Sequence, residues 1–339
     1  MSPFALYIIK RMARLILVLV GLTFITFLIM FLIPSDPVRA ILGPRMAQNP
    51  ALAEALRIRW GLDKPFYERY FTYLWNLLHM DMGISNRTSR PVMEDLSTFF
   101  PATIELSIFA FILSVAIGIF LGIISATRRG KLTDHIVRIT ALLGVSMPAF
   151  WIGLMTLAVL YYQLGLIGPG RLSSYLSPPP RVTGMYVLDS IIDGNLLTLV
   201  SSLQHIFLPA FILGYQYIGI LARLTRSSML EVMSQDFITA LKAKGLPARL
   251  IIYKHALKNA LIPTTTMVGI VFGGLLSGAV LVEIVFAWPG IGLYTFNALL
   301  ALDLPAIMGV TLVIGVVYTL LNLLVDLIYR ILDPRIKYA

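Results

Sequence analysis

Long apolar runs alternate with shorter polar stretches along the chain. A membrane-spanning helix rises about 1.5 Å per residue and needs about 20 mostly apolar residues to cross about 30 Å of hydrocarbon. Six segments meet that requirement, at 12–33, 102–125, 135–164, 197–221, 261–286 and 305–331. The runs are continuous and lack the period-two alternation of a barrel strand, which predicts helices. The expected fold is an all-α membrane protein, one transmembrane domain over 1–339. Lys10, Arg11 and Arg14 precede an apolar run over 15–33 in the manner of a signal peptide. That run exceeds the 7–15 residues of a signal core, and Ile33-Pro34-Ser35-Asp36 is a poor cleavage site, so it reads as a retained span.

The linkers carry their own patterns. Within 34–100, helix-like stretches occupy 51–60 and 66–80, the second rich in aromatics. It reads either as a helix lying on the membrane surface or as a docking surface for an external partner. Ser177-Pro178-Pro179-Pro180 stiffens the linker at 165–196. In 223–258, Met233, Phe237, Ala240 and Leu241 recur at helical spacing, with Asp236 at the start and Lys242 and Lys244 at the end, as the helix dipole favours. Gly245 and Pro247 end that helix, and 248–258 predicts a second one returning to the membrane. A helix–glycine–helix between two spans suits either a partner's groove or the inner membrane surface.

Composition agrees with lipid as the main solvent. The 339 residues are 58% hydrophobic and 13% charged, with a mean hydropathy of +0.84, against about 45–50% and about 25% in soluble domains. The formal charge of +10 sits between apolar runs rather than in one patch, which argues for membrane orientation and against nucleic-acid binding. Lys10, Arg11 and Arg14, then Arg128, Arg129, Lys131 and Arg138, then seven basic residues from Arg223 to Lys258, then Arg330, Arg335 and Lys337 share one side. The two later linkers opposite hold only Arg171 and Arg181, and the long linker 34–100 escapes the rule. Both termini and 223–258 are therefore expected in the cytoplasm of a multi-pass cell-membrane protein.

Candidate catalytic chemistry is sparse. There is no cysteine, and His79, His135, His205 and His255 lack metal-ligand spacing. No phosphate-binding loop appears, Gly290-Ile291-Gly292 lacks a third glycine and a flanking strand, and no serine sits in a nucleophile elbow. No cofactor is expected on this chain. The span interiors hold few acids: Glu105 near one end, and Asp326 four residues before Arg330. An ion-driven transporter would need a chain of them near mid-membrane. Gly118 with Gly122, Gly269 with Gly273, and Gly274 with Gly278 stand at helix-contact spacing, and Gly269 and Gly273 are also candidate pathway positions. Ser146-Met147-Pro148 predicts a kink beside a flexible side chain, either static or a gate.

The 234–258 stretch resembles the coupling loop of permease subunits of ATP-binding-cassette (ABC) importers. Thr239-Ala240-Leu241, Gly245 and His255-x-Leu257-Lys258 match the general motif loosely. The peptide/nickel subfamily is more similar, nearly end to end. The similar segments include Gly61-Leu62-Asp63-Lys64-Pro65, Gly83-Ile84-Ser85, Ser146-Met147-Pro148, 222–232, Ala243-Lys244-Gly245-Leu246, 255–260, 283–290 and 322–336. The resemblance implies a type I ABC importer permease fold of six helices and a peptide substrate, with oligosaccharides or nickel complexes as alternatives. It implies a second, homologous permease, two ATPase subunits holding ATP and Mg, and an extracytoplasmic binding protein. It assigns coupling to Asp236, Ala240, Leu241, Lys244, Gly245 and Leu246. Tyr70, Trp75, Trp288 and Pro289 are candidate docking residues for the binding protein. The rival classes are a stand-alone channel, a membrane scaffold and a membrane-embedded enzyme.

Overall fold

The structure is a computed structural model that describes residues 3–32, 51, 54–55, 58, 63–166 and 168–332. Most of the stretch expected as a helix at 51–60 lies outside these residues, as do the side chains of Asp326 and Arg330. The described chain is helical: α1 (Pro3–Leu32), α2 (Phe66–Leu78), α3 (Val92–Thr127), α4 (Leu132–Ser146), α5 (Ala149–Leu157), α6 (Tyr186–Asp193), α7 (Leu196–Met233), α8 (Asp236–Ala243), α9 (Leu257–Val285), α10 (Ile291–Leu300) and α11 (Leu304–Leu332). Among the described residues β structure is limited to an isolated bridge between Ile84 and Pro91.

Among the described residues five helices, α1, α3, α7, α9 and α11, are long and apolar enough to cross a membrane. The pair α4 and α5, with a π-helical continuation at Ala158–Gln163, makes a sixth span if taken together. The two are bent by 102° at Met147-Pro148. The residue before a proline is driven out of the α region, and Met147 is extended at φ −99, ψ 131. The kink expected at Ser146-Met147-Pro148 is thus a full break in the span expected over 135–164.

Two helices overrun the bilayer. At 36 and 38 residues, α3 and α7 measure about 54 and 57 Å. Glu94 and Asp95 in the first turn of α3 complement the dipole. Asn195 starts α7, its side-chain oxygen accepting from the Leu197 and Thr198 amides at 3.1 and 3.2 Å. The linker expected from 223 begins only at Ser234, because Thr225, Met229 and Val232 keep an inward face on α7 past the hydrophobic run.

The chain divides into two compact units. One comprises 1–100, 294–324 and 333–339. In it α1 meets α2 through aromatic rings, and the turn 83–91 is fastened by the Ser85 hydroxyl donating to Asp303 at 2.5 Å. The other comprises 101–293 and 325–332. There α7 is the central pillar, packed on α4 and α9. Leu106, Ile206, Ile212, Leu221, Val271, Leu275, Phe286 and Trp288 form its core. A Cβ at Gly118 would meet the Leu221 side chain at 2.7 Å, and one at Gly122 the Thr225 side chain at 2.5 Å, so small residues let α3 and α7 touch. Gly274 likewise accommodates the Tyr217 hydroxyl.

Two buried polar ties brace this second unit. Arg171 donates to Glu105 at 2.6 Å and to the Gly184 carbonyl at 2.9 Å, and lies 3.7 Å from the Tyr186 ring centre. The Glu105 carboxylate also accepts from the Val187 amide at 2.7 Å, pinning 165–196 to α3. Glu283 accepts from the Thr103 hydroxyl at 2.6 Å and from the Leu293 amide at 3.0 Å. A Cβ on Gly290 would strike both Glu283 and Thr103, so the turn after α9 requires glycine there.

Candidate coupling site

Helix α8 is short and owes its position to one face. Ile238 is fully buried, and Leu241 and Leu246 pack beside it on Ala126, Met229, Val232, Ile251, Ala256 and Ala260. These come from the end of α3, the end of α7, the return segment and the start of α9. The helix closes with a Schellman turn: the Gly245 amide donates to the Lys242 carbonyl at 2.9 Å and the Leu246 amide to the Leu241 carbonyl at 3.3 Å. Leu241 and Leu246 are the apolar pair that accompanies this motif. Gly245 has φ +75 and open space around it, so backbone conformation rather than crowding selects glycine.

The opposite face is open. Asp236, Phe237, Ala240 and Lys244 are all exposed, and Phe237, Ala240 and Lys244 stand at i, i+3 and i+7 on one stripe. Pro247 starts the return segment, Ala248–Leu250, which continues through a π-helical stretch at Ile251–Ala256 into α9. Beside α8 lies a cavity of about 550 Å³, lined by Ser228, Glu231, Val232, Gln235, Phe237, Asn259, Ile262 and Pro263.

The platform beneath α8 is stiffened by an ion pair. Arg226 on α7 donates to both oxygens of Asp134, at 2.8 and 2.9 Å. The same carboxylate accepts from the Ser125 hydroxyl at 2.5 Å and the Gly130 amide at 3.0 Å. One buried carboxylate therefore joins the end of α3, the start of α4 and the lower part of α7. With its fork filled and its partners hydrogen-bonded, the pair holds one geometry.

The predicted coupling residues divide between the two faces. Asp236, Ala240, Lys244 and Gly245 are open, whereas Leu241 and Leu246 hold α8 down. The apolar spacing of Met233, Phe237, Ala240 and Leu241 is helical, yet Phe237 and Ala240 point outward and Ile238 is the anchor. The available clue was the Leu241/Leu246 pair around a glycine, which places Ile238 on their side. Asp134 was also missed: it lies 92 residues from Arg226, and no local spacing signals their contact.

Other candidates are scattered. Ser146, Met147 and Pro148 are exposed at the break between α4 and α5. On α9, Gly269 is half-buried and Gly273 buried. Two of the docking candidates need correction. Tyr70 is buried, its hydroxyl 3.2 Å from Thr23 Oγ1 and from the Val20 carbonyl. Trp288 is buried, its indole N–H donating to the Ala102 carbonyl at 2.9 Å. Neither side chain offers contact surface, because each ring is spent on internal packing. Trp75 is exposed and Pro289 half-buried.

Comparison with known proteins adds a second line of observation. The family model described as "Binding-protein-dependent transport system inner membrane component" matches residues 118–338, and the model for the N-terminal part of such membrane components matches 4–107. The chain is 48% identical over 328 residues, 96% of each chain, to the probable D,D-dipeptide transport system permease protein DdpB of Escherichia coli K12. It is 44% identical over 332 residues, 98% of this chain and 99% of the relative, to the dipeptide transport system permease protein DppB of Alkalihalophilus pseudofirmus. With DppB of Escherichia coli K12 it shares 38% over 335 residues, 98% of each.

Proposed function

The chain belongs to the family of binding-protein-dependent transport system inner membrane components, and on that premise we propose that it is the permease subunit of an ABC importer carrying di- and oligopeptides. Full-length relatives named as dipeptide permeases support the substrate class. A binding protein delivers solute, and ATP hydrolysis belongs to separate ATPase subunits, which hold ATP and Mg. A second, homologous permease completes the pathway. The distribution of Lys and Arg supports placing both termini and α8 in the cytoplasm.

The observation that carries the coupling role is α8 itself: a short helix fixed on one face by Ile238, Leu241 and Leu246, with Phe237, Ala240 and Lys244 open on the other. In this reading the open face sits in a groove of an ATPase subunit. ATP closes the ATPase dimer and moves α8 as a rigid body. The Arg226–Asp134 tie carries that motion into α7, α4 and α3, and the pathway opens toward the binding protein. Hydrolysis restores the inward-open state.

The test is uptake of a labelled dipeptide into proteoliposomes holding the assembled transporter, with ATP on the ATPase side and binding protein on the other. Uptake is expected to require ATP, and Phe237→Asp with Lys244→Glu is expected to abolish it. Uptake by this chain alone, or without ATP, contradicts the proposal.

A further inference from the structure

Helix α2 has three distinct faces. At 100° per residue, Phe66, Tyr70, Tyr73 and Leu77 form one face, and the first three meet the rings of α1. Tyr67, Phe71, Trp75 and Leu78 form a second face, roughly 120° round the wheel, and each is more than half exposed. Glu68, Thr72 and Asn76 form a third, polar face, again exposed. A two-faced helix would need only a core and water. This one needs a third environment.

The contacts with α1 supply its position. Phe27 alone touches Phe66, Tyr70 and Tyr73, at 5.3, 5.5 and 5.9 Å between ring centres, so α2 crosses α1 instead of running beside it. The apolar run of α1 continues to the helix end at Leu32, so the crossing lies about 8 Å along the helix axis from that end. A helix crossing a membrane span at that level lies close to the plane of the lipid boundary, where amphipathic helices bury an apolar face about 5–10 Å deep. Ile25, Ile29 and Leu32 expose apolar surface at the same level on the other side of α1, and the aromatic face of α2 is open as well. Its residue types are those enriched where one end of a ring is apolar and the other wet.

We propose that α2 is an in-plane interfacial anchor, with Tyr67, Phe71, Trp75 and Leu78 seated among the lipids of the leaflet where α1 ends and Glu68, Thr72 and Asn76 facing water. This reassigns Trp75 from a protein-docking residue to a lipid contact. Arg69, whose guanidinium carbon lies 5.4 Å from the Phe31 ring centre, stands at the edge between α1 and the polar face, in reach of a lipid phosphate.

The chain has no cysteine of its own, which makes spin labelling direct. Labels are placed one at a time through Glu68→Cys, Phe71→Cys, Thr72→Cys and Trp75→Cys, all exposed positions. Each variant is studied in the assembled transporter, in liposomes of phosphatidylethanolamine and phosphatidylglycerol. Collision with oxygen, which partitions into lipid, is compared with collision with a water-soluble nickel chelate. The proposal expects oxygen to dominate severalfold at 71 and 75 and the nickel chelate to dominate at 68 and 72. Equal nickel access at all four positions would place the aromatic face in water and overturn it. Labels at 71 and 75 that are immobile and shielded from both reagents would mean a protein covers that face, which also overturns it.

Discussion

Gly245 illustrates how one residue sets where α8 ends. At φ +75 an L side chain costs about 1–2 kcal/mol, although nothing obstructs it. Gly245→Ala is therefore expected to loosen the end of α8 and lower dipeptide uptake, while Gly245→Asn, which tolerates the left-handed region, loses less; parallel uptake and melting measurements check the order. The Asp134–Arg226 pair acts by a different route. Removing one partner strands a buried charge, so Arg226→Met is expected to destabilise the protein by about 3–5 kcal/mol, and Asp134→Leu combined with it to recover part of that loss in a thermal-unfolding assay. Asp189 in the linker helix gives a pH prediction. Burial alone would push its carboxyl up, but the Thr183 amide and hydroxyl and the Gly184 amide, at 2.7 to 2.9 Å, hold it below the ordinary value. A depressed carboxylate adds stability that is present above its unfolded pKa of about 3.9 and disappears as pH falls through the lower folded value. The 182–190 corner should thus stay protected from hydrogen exchange through neutral pH and open only in strong acid. Loss of protection near pH 6 would contradict this.

Among elements, α8 and the broken span separate what the sequence discloses from what it hides. The apolar runs, the proline break at 148 and the glycine stop at 245 are local signals, and the helices begin and end near them. Which face of α8 is buried is not local, because Phe237 and Ile238 are equally apolar and only the surfaces of α3, α7 and α9 choose between them. Burial of Tyr70 and Trp288 was hidden for the same reason, since an aromatic stretch looks alike in a core and at an interface. Ile238→Ala removes a fully buried side chain and is expected to weaken the seat of α8 by about 2–5 kcal/mol. The assembled transporter should then hydrolyse ATP with little uptake, and the ratio of the two rates measures it. At the break, Pro148→Ala lifts the restriction on Met147. Spin-label distances between α4 and α5 should broaden toward longer values; an unchanged distance would mean that packing on α7 and α9 maintains the bend.

For the whole molecule, hydropathy and the placement of basic residues account for the spans and the proposed sidedness, while the ties that make the structure stiff pair residues far apart in the chain. Glu105 with Arg171, Thr103 with Glu283 and Asp134 with Arg226 each join distant segments, and each needs the fold before it can be seen. The central claim is that the open face of α8 is the seat of an ATPase subunit on the cytoplasmic side. It is tested most directly by thiol cross-linking in membranes containing the whole transporter, using Ala240→Cys and Lys244→Cys on the open face and Ile238→Cys on the buried one. The account predicts that the first two link to the ATPase subunit and the third does not, with no labelling by an impermeant reagent added outside. Labelling of Ala240→Cys from the outer surface, or links from it to no ATPase subunit, would contradict it.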